Sequence, residues 1–172
     1  MGEVTVRPYR ASDTSQLDAL VGAHTAADPS YGPPAGQPGS DWLGSGVGAC
    51  LTRFVAISDS HIVGHVAVGS VPPCPQRDLW ISHLKKDVTL VEIRRGMVHP
   101  DLVGSRIGGQ LTKTAVRWAT ERSYLPVAAS VQGRTSSTAM MRRYGWEPCG
   151  VIDVDGYGPV TLWVPPTKIV DR

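Results

Sequence analysis

LVEIRRGMVHPDLVGSRIGGQL, residues 90–111, is the stretch that decides the fold. Leu90 to Val98 is dominated by apolar and β-branched residues and reads as a strand. His99-Pro100 ends it, and a glycine-bearing turn follows from Val103 to Gly109. The turn opens into a helix whose apolar positions Ile107, Leu111, Ala115 and Trp118/Ala119 recur at helical spacing. A strand that feeds such a turn onto a helix N-terminus makes an anion site, because the first N–H groups of the helix have no internal partner and point outward. Gly104, Gly108 and Gly109 carry no Cβ, which suits a backbone that a ligand approaches closely. The expected occupant is a phosphorylated cofactor.

Working outward, Val4 to Pro8 reads as a first strand, and Ser12/Asp13 as the cap of a helix carrying Leu17, Leu20 and Val21 up to His24. Residues 28–48 are rich in Gly, Pro and Ser but hold Tyr31 and Trp42, which predicts an ordered, mobile loop. Arg53–Ile57 and Ile62–Val68 alternate on either side of Ser58-Asp59-Ser60, a hairpin. A proline-rich loop over 69–78 precedes a short helix from Asp78 to Lys86. After the long helix come a strand at Pro126–Val131, a helix at Ser136–Tyr144 stopped by Gly145, and strands at Val151–Val154 and Val160–Val164. This order predicts one α/β (α+β) domain over residues 1–172. It is a layer sandwich with a mixed sheet of about six to seven strands flanked by helices, parallel where a helix intervenes.

Lys and Arg number 17 against 15 Asp and Glu, a formal charge of +2, which gives no footprint for nucleic acid. No apolar run reaches the length of a membrane span, and the first residues go straight into a strand pattern without an apolar signal core. The 3 cysteines, Cys50, Cys74 and Cys149, are odd in number and far apart, so a reduced cytoplasmic protein without disulfides or zinc is expected. The 5 histidines lack ligand spacing, so no metal site is expected.

Three segments resemble the GNAT superfamily of acyl-CoA-dependent N-acyltransferases. VTVRPYRASDTSQLDALV looks like the family's opening strand and helix, and VEIRRGMVHPDLVGSRIGGQL is similar to its acetyl-CoA motif. STAMMRRYGWEPCG is similar to the later helix and strand. The resemblance implies acetyl-CoA as co-substrate and splayed fourth and fifth strands. It places the pyrophosphate over Val103, Gly104, Ser105, Arg106, Ile107, Gly108 and Gly109, and the pantetheine arm along the backbone of Met97 and Val98. Gly96 is the expected bulge that lets the strands diverge. The chain departs from the motif at Val103, where Gln or Arg is usual, and at Arg106, where glycine is usual. Met141 stands where many members carry a tyrosine that protonates the leaving thiolate, and methionine has no proton to give. Tyr144, three residues on, is the candidate acid, with a packed core or rim tyrosine as the plainer alternative.

Glu92 is an acidic residue inside an apolar strand start. It is a candidate general base on an acceptor amine, or a structural partner of Arg94 or Arg95. His24, Tyr31 and Trp42 flank the loop that commonly forms the acceptor wall in this superfamily, in a pattern resembling bacterial members. Trp42 reads either as a lid or as an anchor of that loop, and His65 either as a packed strand residue or as one facing the acceptor channel. The expected activity is transfer of acetyl from acetyl-CoA to a primary amine of a small molecule, by direct transfer in a ternary complex. Rivals are a weakly catalytic CoA-binding sensor and an acetyltransferase of protein N-termini or lysines. A homodimer through Val160 to Val164 with Trp163 is possible, but a buried core strand predicts the same residues.

Overall fold

The computed structural model describes residues 3–85, 88–133 and 135–166. Seven strands form in chain order: β1 (Thr5–Pro8), β2 (Cys50–Ser58), β3 (His61–Ser70), β4 (Leu90–Val98), β5 (Leu125–Val131), β6 (Glu147–Val154) and β7 (Gly158–Val164). The helices are α1 (Thr14–Ala27), α2 (Gly39–Gly44), α3 (Pro75–Leu84), α4 (Ile107–Thr120) and α5 (Thr135–Arg143). All the strands join one sheet in the order β1-β2-β3-β4-β5-β7-β6. Pairing is antiparallel except between β4 and β5, which α4 bridges, because a parallel pair needs a long crossover. The β2–β3 hairpin closes at Asp59 and Ser60, with φ of +49° and +66°, the mirror-image turn that matches strand twist.

Side-chain alternation assigns the two faces. Phe54, Val66, Val68, Val91, Ile93, Ala128 and Trp163 point to one face, where Ile107, Leu111, Ala115 and Ala119 of α4 and Met141 of α5 cover them. On the other face Val55 and Met97 pack under α1 and α2 through Leu17, Leu20, Val21, Trp42 and Leu43. Farther along that face, Leu90, Val127 and Leu162 pack on Trp80 of α3. Between these two groups the face is left to Glu92 and Arg94.

Three expectations are corrected. The stretch 28–48 holds α2, too short and too glycine-bounded for periodicity to reveal; its Trp42, 1% exposed, anchors it to α1. Asp13 makes no side-chain cap on α1. Its carboxylate instead accepts two hydrogen bonds from the Arg7 guanidinium at 2.7 and 2.8 Å and one from the Arg10 amide at 2.8 Å. The charged partner outbids the helix amides. Finally, β7 lies between β5 and β6 with Trp163 1% exposed, so it is a core strand and offers no dimer edge. The expected helix end at Lys86 lies outside the described residues.

The Arg7 hydrogen bonds hold the Asp13 carboxyl below its usual pKa, with the Arg10 amide adding and burial opposing. A depressed carboxylate contributes stability above its unfolded pKa and loses it as pH falls through the folded one. Asp13→Asn is therefore expected to cost about 2 kcal/mol at pH 7. The gap from the parent chain should close on acidification below the ordinary aspartate range. Denaturant unfolding at several pH values measures both.

Candidate active site

The site begins where two strands part. β4 and β5 stay in register from Leu90 beside Leu125 to Ile93 beside Ala128, and the ladder stops there. Beyond that point β5 pairs with β7, Ala129 with Leu162 through Val131 with Val160. β4 meanwhile follows β3, pairing Arg94 with Ala67, Met97 with His65 and Val98 with Gly64. Arg95 and Gly96 thus oppose the single residue Val66, a bulge. The sequence points to Gly96, but the left-handed φ of +53° falls on Arg95. On the notch side, no strand among the described residues pairs with Met97 or Val98.

Leading out of the notch, Pro100–Leu102 makes one 3-10 turn and the chain enters α4 through Gly104 and Arg106, at φ of +90° and +69°. The left-handed Arg106 is the N-cap, which accounts for glycine being usual there in the motif. The first amide of the region to find a backbone acceptor in α4 style is Gln110, on the Arg106 carbonyl at 3.1 Å. The amides of Ile107, Gly108 and Gly109 have no such acceptor among the described residues. Three open N–H groups at the positive end of a fourteen-residue helix suit an anionic group. Val103 is 60% exposed beside them.

The other face of the notch is polar and aromatic. Glu92 and Arg94 project there, with Glu92 Oε2 3.9 Å from Arg94 Nη1. Burial pushes the Glu92 pKa above the ordinary glutamate value, and the charges of Arg94 and Arg95 oppose it. Tyr31 stands edge-on to His24 and Trp42, with ring centres 5.8 and 5.0 Å away, so the structure gathers these three residues. Two further residues complete the group. Tyr157, in the β6–β7 turn, lies 6.5 Å from Tyr31 by ring centres. Arg95 lies 4.3 Å over the Trp42 ring and donates to the Tyr157 hydroxyl at 3.2 Å. The Asp155-Gly156-Tyr157-Gly158 turn between two strands was the available signal for Tyr157.

The acetyltransferase (GNAT) family model matches residues 20–146, most of the chain. The chain belongs to the GNAT family. Its fold is that of Arabidopsis thaliana NAA60 solved with acetyl-CoA, at TM-score 0.70 and 15% identity over 94% of this chain and 97% of that one. An N-acetyltransferase from Staphylococcus aureus Mu50 superposes at TM-score 0.69, with 15% identity over 94% and 97%. The polyamine N-acetyltransferase of Drosophila melanogaster reaches TM-score 0.66, with 16% identity over 94% and 99%. No curated protein matches the sequence.

Within this GNAT fold Met141 and the candidate acid Tyr144 are placed differently from Glu92. Met141 is 6% exposed in the core under α4, beside Ile107 and Trp146. Tyr144 also lies on the α4 face, opposite Glu92, with its ring 5.3 Å from Lys113 Nζ. Its hydroxyl rests against Gly109, where a Cβ would overlap it. Gly109 therefore makes room for a tyrosine on its Cα side, while Gly108 similarly faces Met140 Sδ. Among the described residues, no three His, Cys, Asp or Glu side chains gather where a metal could sit.

Gly109→Ala should destabilise the fold by about 1–3 kcal/mol through this overlap. In a Tyr144→Ala background the sign should reverse, because alanine is intrinsically better than glycine in a helix by about 1 kcal/mol. A double-mutant cycle by thermal unfolding checks the reversal.

Proposed function

We propose that the chain is an N-acetyltransferase that transfers acetyl from acetyl-CoA to the primary amine of a small molecule, directly, in a ternary complex. The observation that carries this reading is the notch itself. An unpaired β4 edge at Met97 and Val98 leads on one side to open helix amides and on the other to a partly buried carboxylate.

The residues present fit the co-substrate. The amides of Ile107, Gly108 and Gly109 suit a pyrophosphate, with Arg106 beside them, and Gly104 adopts the backbone that the turn requires. The β4 edge at Met97 and Val98 suits an amide-bearing arm laid down as an added strand. That arabidopsis relative was solved with acetyl-CoA, which supports the same co-substrate here. When bound, acetyl-CoA supplies an acyl carbon activated as a thioester. Glu92 receives the proton that an acceptor ammonium sheds before it attacks, and its raised pKa brings its basicity closer to that task. The aromatic group of His24, Tyr31, Trp42 and Tyr157 shapes the acceptor side.

A small acceptor is favoured because Tyr31 and Tyr157 meet across that side, and Arg95 ties Tyr157 to β4, which narrows the space a protein segment would need. The fly relative, which forms N-acetylagmatine, acts on an acceptor of this size. The apolar, buried Met141 supports the second reading, a weakly catalytic CoA-binding sensor. Tyr144 is the remaining hydroxyl candidate for protonating the thiolate from the α4 face.

Calorimetry with acetyl-CoA, followed by thiol release against a panel of amines, tests the reading. Binding with release is expected; binding without release on any amine would favour the sensor. Glu92→Gln should lower kcat by about 10²-fold or more while leaving acetyl-CoA affinity unchanged. The parent enzyme should lose activity as pH falls through a pKa above the ordinary glutamate range, and that acid limb should vanish in the variant.

A further inference from the structure

Arg94 is buried with fewer hydrogen bonds than it can make. It is 7% exposed, and its guanidinium lies between the backbones of Gly46 and Gly69, where a Cβ on either glycine would overlap it. Nη2 donates to the Gly48 carbonyl at 2.8 Å, while Nε and Nη1 have no acceptor among the described residues. Glu92 does not fill the gap, since 3.9 Å separates Oε2 from Nη1, beyond hydrogen-bond reach. A guanidinium taken out of water is costly until its donors are met, and a carboxylate matches its planar fork. Arg95, the neighbouring cation, is committed elsewhere, over Trp42 and on the Tyr157 hydroxyl.

The cover over Arg94 is slight. Residues 45–49 cross it as a strap tied at its two ends, by the Ser45 amide on the Trp42 carbonyl at 3.0 Å and by the Ser70 amide on the Ala49 carbonyl at 2.9 Å. Between those ties, Val47 is 68% exposed, so no apolar side chain pins the strap down. Gly46 and Gly48 let its backbone lie close against the Arg94 guanidinium and Ser70, and the Gly48 carbonyl holds it there through Arg94 Nη2.

We propose that the acceptor is a small amine that carries a carboxylate, the carboxylate held by Arg94 and the ammonium by Glu92. The inference rests on the acetyl-transfer reading and names its substrate class. An α-amino acid is the simplest such molecule, because it bears both groups on one carbon and presents opposite charges to two side chains that stand side by side. Its carboxylate completes the Arg94 donors, and its ammonium gives Glu92 the proton donor that Arg94 does not supply.

The test compares common α-amino acids with their α-amides and decarboxylated amines in the thiol-release assay. The amides are the weaker bases and hold more neutral amine, so intrinsic reactivity favours them. A KM at least about tenfold lower for the acids would therefore report recognition of the carboxylate. Arg94→Met should remove that preference by raising KM for the acids alone, and Arg94→Lys should keep part of it. Should Arg94→Met fail to fold, Arg94→Gln and Arg94→Lys carry the comparison. Equal KM values for acid and amide, an undiminished preference in the variants, or turnover of peptides but not of free amino acids would each overturn the proposal. Titrating the amino acids and amides into CoA-saturated protein gives a second readout. Heat from the acids alone would uphold carboxylate recognition even if acetyl transfer itself proved absent, and no heat from either would overturn it.

Discussion

The two-against-one bulge at Arg95 and Gly96 is the constraint on which the site depends. A strand alternates faces with every residue, so one extra residue re-aims all that follow. Here it keeps Leu90, Glu92, Arg94 and then Met97 on the same face, where simple alternation would have turned Met97 toward α4. It also takes β4 away from β5 after Ile93. A non-glycine residue at φ +53° is strained, and the surroundings hold it in place. The His65 ring, fully buried, donates from Nδ1 to the Arg95 carbonyl at 3.1 Å. Burial pushes the His65 pKa down to about 4, with the Arg53 charge adding and the Arg95 carbonyl opposing, so the ring is neutral near pH 7 and keeps that proton. The Arg95 side chain is held in turn by Trp42 and Tyr157. The aromatic pair Trp42 and Tyr157 is thus a brace for the bulge.

The two faces of the notch divide the electrostatics. On the α4 face the fixed charges are the partial charges of helix amides, which need no counterion and keep their orientation. On the opposite face they are ionisable side chains, Arg94 buried and Glu92 partly so, set near each other without a hydrogen bond between them. Removing one member of such a pair strands the other, so each is expensive to lose. That arrangement is poor economy for stability alone, since a well-packed apolar pair would serve as well. Burial that raises Glu92 and leaves Arg94 donors open is the pattern of a site awaiting a polar guest.

Residues 90–111 were legible because each feature there is local: strand composition, a proline stop, turn glycines and helical spacing. The hairpin at Asp59-Ser60 and the helix stop at Gly145, φ +76°, were legible for the same reason. What stayed hidden depends on partners distant in sequence. Asp13 has the form of a cap, yet Arg7 takes it. Gly96 has the composition of a bulge, yet the strain sits on Arg95, because His65, Trp42 and Tyr157 hold that residue. Gly109 has the form of a phosphate-loop glycine, yet the nearer reason for it is Tyr144, 35 positions away by number. The gathering of His24, Tyr31 and Trp42 was expected from family resemblance, but Tyr157 joins them only through the sheet order that sets β7 beside β5.

The same division explains which departures from the family pattern are tolerable. Val103 removes a side chain from a region whose open donors are main-chain amides, and Arg106 takes the left-handed backbone that the turn requires. A site made of backbone survives such substitutions so long as the turn keeps its shape. Met141 differs, because it replaces a side-chain function, and the core closes over it at 6% exposure. On the proposed reading the acceptor face is made of side chains throughout: Glu92, Arg94, Tyr31, Trp42 and Tyr157. Change there alters which molecule fits without disturbing the amides on the other side of the sheet. On the proposed acetyl-transfer reading, donor binding would rest on the backbone of the fold and acceptor choice on these few side chains.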